Sequence, residues 1–455
     1  MSGPGKKTAP PAAAPTRSDA ELAEAENFRR FMIIWVAQLV ARVGNGLTAF
    51  GLSVYVYERT GLSTSVALVT MAAFLPSVLL APLGGVLADR VDRRLLMILG
   101  DTASATGLVA LLIAFATGEP GVGLICLCVA VSSLFSSVMD PAYRATVSDL
   151  LTPKQYARAG GLVQFASASQ YLISPALAGV LMASFGIQVV LSIDVSTMVV
   201  TILAMTVVWR GIRTKKPLAE SGFWEDFRFG FGYFAQNRGV LVLMLVVTLV
   251  TFCMGFLQTL LTPMLLDLSD ETTLGVVRSV AAVGMVVASL IIGIFNMSTR
   301  HGAYMGWSLA GAGLVVLCMG ATPNVLMIGV FAFLFFMTLP PLNTSVEVLV
   351  RASIPNEIQG RVWGMMSLLS QVGYLIAYGV SGPLADYVFN PLLAPGGALA
   401  GSLGQLIGVG VSRGIGLMLM LVGVLLVLIA LLIPRLKSVQ QMEAAFVAQT
   451  REATS

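Results

Sequence analysis

What most constrains this chain is the length of its apolar runs. Crossing about 30 Å of hydrocarbon as a helix takes roughly 20 apolar residues. Twelve stretches meet that length, at about 30–56, 64–87, 95–117, 121–148, 160–184, 188–209, 240–264, 273–297, 302–320, 324–349, 362–385 and 414–433. In chain order they are spans 1 to 12. A transmembrane barrel would show short alternating strands, whereas these runs are continuous. The expected fold class is therefore all-α: a polytopic membrane protein with twelve transmembrane helices. Composition points the same way. The chain is 56% hydrophobic and 11% charged, with mean hydropathy +0.87, and a soluble protein of 455 residues needs a far more polar surface.

The basic residues fix a topology. Lys6, Lys7, Arg29, Arg30, Arg90, Arg93, Arg94, Lys154, Arg158, Arg210, Arg213, Lys215, Lys216, Arg238, Arg300, Arg361, Arg435 and Lys437 all fall on one side of a twelve-span chain; the other side's loops hold essentially Arg59 and Arg413. By the positive-inside rule both termini are cytoplasmic, in the cell's inner (cytoplasmic) membrane. Loops facing the lipid surface account for the net charge of +4, so no nucleic-acid partner is implied. No cleavable signal peptide is visible, and residues 1–27, polar and Pro/Ala-rich, read as a disordered cytoplasmic tail. Cys126, Cys128, Cys253 and Cys318 fall inside spans with no metal or redox spacing, so no metal site and no cofactor is expected. His301, the chain's one histidine, reads as a surface residue of a short loop. "GPGKKTAP" near the start lacks the P-loop spacing, which argues against ATP-driven transport and against an enzyme.

The chain also repeats. After span 6 comes its longest polar stretch, to about Arg238, containing "FWEDFRFGFGYF", an amphipathic interfacial segment. Two stretches, "YRATVSDLLTPKQYARAGG" (143–161) and "EVLVRASIPNEIQGRVWG" (347–364), occupy matching places before and after it, with Pro153 and Pro355 in register. The expected organisation is a six-helix half over 28–210, a cytoplasmic linker over 211–238, a second six-helix half over 239–435 and a cytoplasmic tail over 436–455. Duplicated halves place a substrate site near the midplane between them.

Between spans 2 and 3 lies "GGVLADRVDRRLL" (84–96), where two aspartates and three arginines fall within six residues. Gly85, Asp89, Arg90, Arg93 and Arg94 resemble the G-x-x-x-D-R-x-G-R-R signature of the major facilitator superfamily, with Asp92 where the family usually has glycine. "ADRVDRR", "SSVMDPAYRATVSDLLTP", "ISPALAG" and "LSIDVST" look like its drug-exporter branch, which contains macrolide-efflux and enterobactin-export proteins; the resemblance covers about 28–435. It implies a major facilitator fold of two pseudo-symmetric halves. It also implies a cytoplasmic gate. Gly85 lets helices approach closely, Asp89 can face a helix N-terminus, and Arg93 can pair with Asp149, which matches the family's aspartate at the end of span 4. "GIFNMSTRHGA" (293–303) is a poor second copy without an aspartate, so the latch is expected to be asymmetric and strongest between spans 2 and 11. "QYLISPALAG" (170–179) is a degraded form of the family's antiporter motif that keeps Pro175 and Gly179, with a bend at Pro175.

Polar residues inside a membrane are costly and normally face a cavity or a partner. Span 4 carries Ser133, Ser136, Ser137, Asp140 and Arg144 on one face by 3.6 periodicity. Span 10 carries Asn343, Thr344, Glu347 and Arg351. Span 11 has Ser367, Ser370, Gln371, Tyr374 and Tyr378, and span 5 has Ser167, Gln170, Tyr171 and Ser174. Span 1 has Gln38, Arg42 and Asn45; span 7, more weakly, has Thr251, Gln258 and Thr262. Asp140 with Arg144, and Glu347 with Arg351, are four apart and can simply neutralise each other. The alternative is that Asp140 or Glu347 exchanges a proton as the cavity changes sides. Arg42 has no acid within a turn of its own helix, so it needs a carboxylate from another helix or an anionic substrate. Asp101 and Asp194 read as structural, and Arg278 as able to snorkel outward. The expected activity is proton-coupled antiport exporting a small amphipathic molecule by alternating access, with one chain sufficing. Uptake of a nutrient by symport or facilitation is the alternative. A non-transporting receptor fits less well, because that class predicts a large soluble region. The uncharged stretch 386–414 is expected to pack on the membrane surface or over the outer mouth.

Overall fold

The computed structural model describes residues 17–208, 228, 232–234, 236–295, 300–354 and 358–454; on the second helix the side chains of 81–86 and 88–90 lie outside the described part. Among the described residues, twelve long helices stand where the apolar runs are: α1 (Arg17–Thr60), α2 (Ser63–Arg90), α3 (Arg93–Thr117), α4 (Val122–Leu150), α5 in two pieces (Tyr156–Leu172 and Ser174–Phe185), α6 (Ile187–Val208), α7 (Arg238–Leu266), α8 (Glu271–Ile294), α9 (His301–Ala321), α10 (Val325–Ser353), α11 (Gln359–Leu384) and α12 (Val411–Leu432), followed by α13 (Lys437–Thr454). Eleven of the twelve are long and apolar enough to cross a membrane. The exception, α11, is 26 residues long; its serines, Gln371, Tyr374 and Tyr378 lower its hydropathy, yet it packs between α2 and α7 as a full span.

The turns are short and locally encoded. Asp92 caps α3, accepting from the Arg94 N–H at 3.0 Å; Asp270 caps α8 through Thr273 at 2.7 Å, and Asn324 caps α10 through Met327 at 3.2 Å. Gly61 at φ 64° ends α1, a conformation that costs glycine nothing.

The packing repeats with the sequence. α2 lies on α4, α3 on α4 and on α6, and α1 on α5 and α6. Six helices on, α8 lies on α10, α9 on α10 and on α12, and α7 on α11 and α12. The contacts between halves obey the same rule, α2 against α11 and α8 against α5. This is the twofold pseudo-symmetry of a duplicated six-helix unit. Small residues allow the closest approach: Gly320 and Gly416 face each other's carbonyls across α9 and α12.

Three sequence readings change here. α1 begins at Arg17, so residues 17–27, read as tail, continue the helix; "RSDAELAEAEN" is rich in strong helix formers. The C-terminal tail is also helical in α13, with Val439 and Met442 buried one turn apart. His301 is buried at the start of α9, edge-on to the Phe446 ring at 5.1 Å, rather than on the surface. The stretch 386–414 is packed: Leu393 and Ile407 bury against Leu417 of α12. The segment "FWEDFRFGFGYF" and the linker lie mostly outside the described residues, and Pro355 wholly so.

Candidate functional site

Between the halves lies a central cavity of about 560 Å³. Its wall draws on both halves. α1 brings Asn45, α4 Ser133 and Ser136, α5 Gln170 and Tyr171, α7 Gln258, α8 Arg278, and α11 Tyr374 and Tyr378. Phe74 of α2 meets both tyrosines of α11, with ring centroids 5.3 and 5.5 Å away, so an aromatic surface crosses from one half to the other. Ser136 shares a hydrogen bond with Ser104 of α3 at 2.9 Å. Tyr378 donates to Gln258 Oε1 at 2.6 Å.

The remaining predicted residues do not line this cavity. Gln38 is buried, 7% exposed. Arg42 and Asp140 lie one turn beyond Asn45 and Ser136 toward the side that carries the basic loops. There Arg42 Nη2 donates to Asp140 Oδ1 at 2.5 Å. Asp140 thus pairs across α1 and α4 and not with Arg144, which is exposed. On α10, Asn343 is exposed and Arg351 donates to Glu347 at 2.5 Å within the helix. Gln371 is half-buried, one turn from Tyr374. The Asp140 and Glu347 side chains are 52% and 50% exposed, so the cleft is open toward the basic side.

At the opposite end the halves are shut. α5 breaks at Ile173, where Pro175 lacks an N–H. The Ala176 N–H left over by the break is taken by Ser279 Oγ of α8 at 3.0 Å. Gly179 packs on the backbone of Glu271, and Gly275 on the Pro175 carbonyl. Asp386, just past α11, accepts from the backbone N–H groups of Ser63 at 3.0 Å and Thr64 at 2.7 Å, and from the Thr64 hydroxyl at 2.6 Å. It caps α2 of the other half. Leu62 stands at that N-cap and cannot cap, and that missing local cap was the only sequence hint that a distant acid would be needed.

At the basic end Arg93 donates to Asp149 Oδ2 at 2.5 Å, bridging α3 and α4 as the resemblance implied. Asp92 explains the departure from glycine. Besides capping α3 it accepts from the Arg94 guanidinium at 2.6 to 3.2 Å, and this partner holds its carboxyl below the usual range. The side chains of Gly85, Asp89 and Arg90 lie outside the described residues. Arg278 departs from its reading. It does not snorkel outward; its Nη2 donates inward, to the Gln258 carbonyl at 2.8 Å and Thr262 Oγ1 at 2.7 Å. Its sequence context, an arginine about two turns into an apolar helix, does not say which way it points.

Two six-helix repeats around a midplane cavity, shut at one end and open at the other, define a membrane transporter. The chain belongs to the Major Facilitator Superfamily, whose profile matches residues 34–378. It is similar to macrolide efflux protein A of Streptococcus pyogenes, 24% identical over 361 residues covering 76% of this chain and 88% of that protein. It is likewise similar to the multidrug efflux pump Tap of Mycolicibacterium fortuitum, 24% identical over 371 residues covering 78% and 89%. Among solved structures, the nucleoside transporter NupG superposes with a TM-score of 0.68 at 13% identity, over 90% of this chain and all of that one. An inward-facing bacterial homologue of the lysosomal transporter Spinster gives 0.67 at 16%, over 92% and 98%. These likenesses carry the fold.

Proposed function

We propose that this transporter exports a small amphipathic molecule, a drug, siderophore or lipid-like metabolite, in exchange for protons. It acts as a single chain in the cytoplasmic membrane, with the basic side and both termini in the cytoplasm. The Arg42–Asp140 pair at the mouth of the cavity carries this reading. A proton antiporter needs one carboxylate that is charged in one access state and protonated in the other. Asp140 is held by a cation from a different helix, so rocking of α1 against α4 can remove that cation and let the acid take a proton. The cavity's mixture of aromatic rings and amide and hydroxyl groups suits an amphipathic cargo, and the names of the relatives support drug efflux. When the opposite end opens, Gly85, Asp89 and Arg90 would meet the other half at the cytoplasmic end, on a turn whose shape the Arg93–Asp149 pair holds within the first half.

The test is flux into and out of liposomes holding the purified protein, with anionic, neutral and cationic amphipathic compounds offered under an imposed pH gradient. Substrate movement against its gradient, opposite to the proton flow, is the expected result. Accumulation in the same direction as protons would make the protein a symporter, and equilibration without accumulation a facilitator.

A further inference from the structure

We propose that Arg278 is the recognition cation of the central cavity, and that the molecules it selects are amphipathic carboxylates. This rests on the reading of the cavity as the transport site and names the chemistry of its cargo.

Arg278 lies seven residues after Glu271, about 10 Å along α8 from its start, in a region where a charge is expensive and marks function by default. It lines the cavity. Its guanidinium stays charged at any working pH. Its two hydrogen-bond acceptors, the Gln258 carbonyl and the Thr262 hydroxyl, are neutral and both sit on Nη2. Among the described residues no partner bonds its Nε or Nη1, and no carboxylate pairs with it. Asp194, the acid lining the cavity, is 1% exposed; its Oδ1 accepts from Thr197 on its own helix at 3.4 Å, its Oδ2 has no partner among the described residues, and it forms no ion pair with Arg278. Arg42 and Asp140 satisfy each other at the mouth. The positive charge at Arg278 is thus left for the cargo to neutralise.

A purely structural role, stapling α8 to α7, needs two donors and no charge; a glutamine could supply it. What the arginine adds is a fork of N–H groups, the geometry that carboxylates fit. The surroundings fit the rest of such a molecule. The Phe50 ring centroid lies 5.8 Å from the guanidinium carbon. Tyr378 is tied to the same Gln258 whose carbonyl Arg278 holds. Tyr374 and Phe74 continue the aromatic wall. A carboxylate bound at Arg278 would lay its apolar body along that wall, while a cationic amphipath would meet repulsion.

The experiment measures equilibrium binding of three radiolabelled probes of one shape to the purified full-length protein: 2-naphthoate, 2-naphthamide and 2-naphthylmethylamine. A charge-assisted hydrogen bond makes the carboxylate about tenfold tighter than the amide, with the amine weakest. Arg278→Gln should remove the advantage of the carboxylate over the amide, and Arg278→Lys should restore part of it. Equal binding of the three probes to the unaltered protein, or no binding at all, overturns the proposal whether or not the variants fold. So does undiminished naphthoate binding by a folded Arg278→Gln protein. Proton-driven flux is read separately on the unaltered protein: no preference for the carboxylate with intact flux defeats this inference alone, and a preference for the carboxylate without proton-driven flux defeats the antiport reading alone.

Discussion

At the end away from the basic loops the two halves meet backbone to backbone, whereas at the basic end charged side chains pair and the cleft stays open. The shut end is made of Gly179 and Gly275 in the α5–α8 contact, Gly382 on the Thr64 backbone, one hydrogen bond accepted by Ser279 and three accepted by Asp386. Each of these crosses between halves. The ion pairs of the open end, Arg42–Asp140, Arg93–Asp149 and Arg351–Glu347, each join residues of one half. The difference teaches how one interface can open without unfolding. Contacts between glycines and carbonyls bury no charge, so parting them strands no ion, and the Asp386 carboxylate, the charged member of this seal, sits at the end of the bundle. The Arg93–Asp149 and Arg351–Glu347 pairs can keep their halves in shape during such a motion, while Arg42–Asp140 is the pair that a shift of α1 against α4 would part.

The largest effect should come from wedging the shut end. Gly275→Leu places a side chain where the Pro175 carbonyl stands, so α8 and α5 cannot close. Transport should fall to background. Spin labels at Leu62 and Leu406, both exposed and on opposite halves, should report mainly a longer distance. Gly293→Leu, on the same helix but facing open space, is the control and should transport normally. An unchanged distance distribution in Gly275→Leu would show that this contact does not hold the end shut.

Next comes the open end's charge. Asp140→Asn should abolish accumulation driven by a pH gradient while leaving downhill exchange measurable. Glu347→Gln should do less, because its partner Arg351 is on the same helix and moves with it. Flux in liposomes at matched protein density decides. If both variants concentrate substrate as the parent does, coupling runs through other residues.

The comparison also marks what could be read from the chain. Runs of apolar residues gave all twelve spans, since span length is set by bilayer thickness and not by tertiary detail. Asn45, Ser136, Gln258 and Tyr374, read from the sequence as polar residues inside spans, line the cavity, although on α1 periodicity grouped Gln38 with Arg42 rather than with Asn45. Periodicity could not choose partners: Asp140 is equally spaced for Arg144, and only the approach of α1 to α4 brings Arg42 instead. Pro175 and Gly179 were legible as a bend, but their use as a seal depends on α8, distant in sequence. Asp386, in a stretch that reads as a loop, gained its role by docking 322 residues from Thr64. Arg278 was visible as a charge and misread in direction, because a sequence gives a side chain's reach and not the neighbours that claim it.

A smaller effect is expected where the seal uses a cap. Asp386→Ala frees the first N–H groups of α2, a loss of about 1 kcal/mol for a helix cap, or about fivefold in the balance between shut and open. The same pair of spin labels should then show a second, longer distance growing by that factor, with transport altered only a fewfold. Asp386→Asn, which keeps one capping oxygen, should fall between the two. A distribution identical to the parent would mean that the glycine contacts alone set the balance.

The smallest effect belongs to Asp92, which sharpens the contrast because it acts within one turn and touches neither the cavity nor the other half. Its carboxylate caps α3 and holds the Arg94 guanidinium, and that cation keeps its proton affinity low. A group whose acidity is strengthened by folding stabilises the fold above its unfolded pKa, about 3.9 for aspartate, and loses that contribution as pH falls through its lower folded value. Asp92→Ala should therefore cost about 1 kcal/mol at pH 7, and the gap in melting temperature from the parent should shrink as the pH is taken below about 4. Asp92→Asn retains the capping oxygen and loses the charge, so it should recover most of the loss at pH 7 and show little of the pH dependence. Thermal unfolding of the three proteins in detergent between pH 3 and pH 7 checks this. A gap between Asp92→Ala and the parent that stays constant over that range would mean that the carboxylate's charge contributes nothing, and that Asp92 serves the turn by its shape alone.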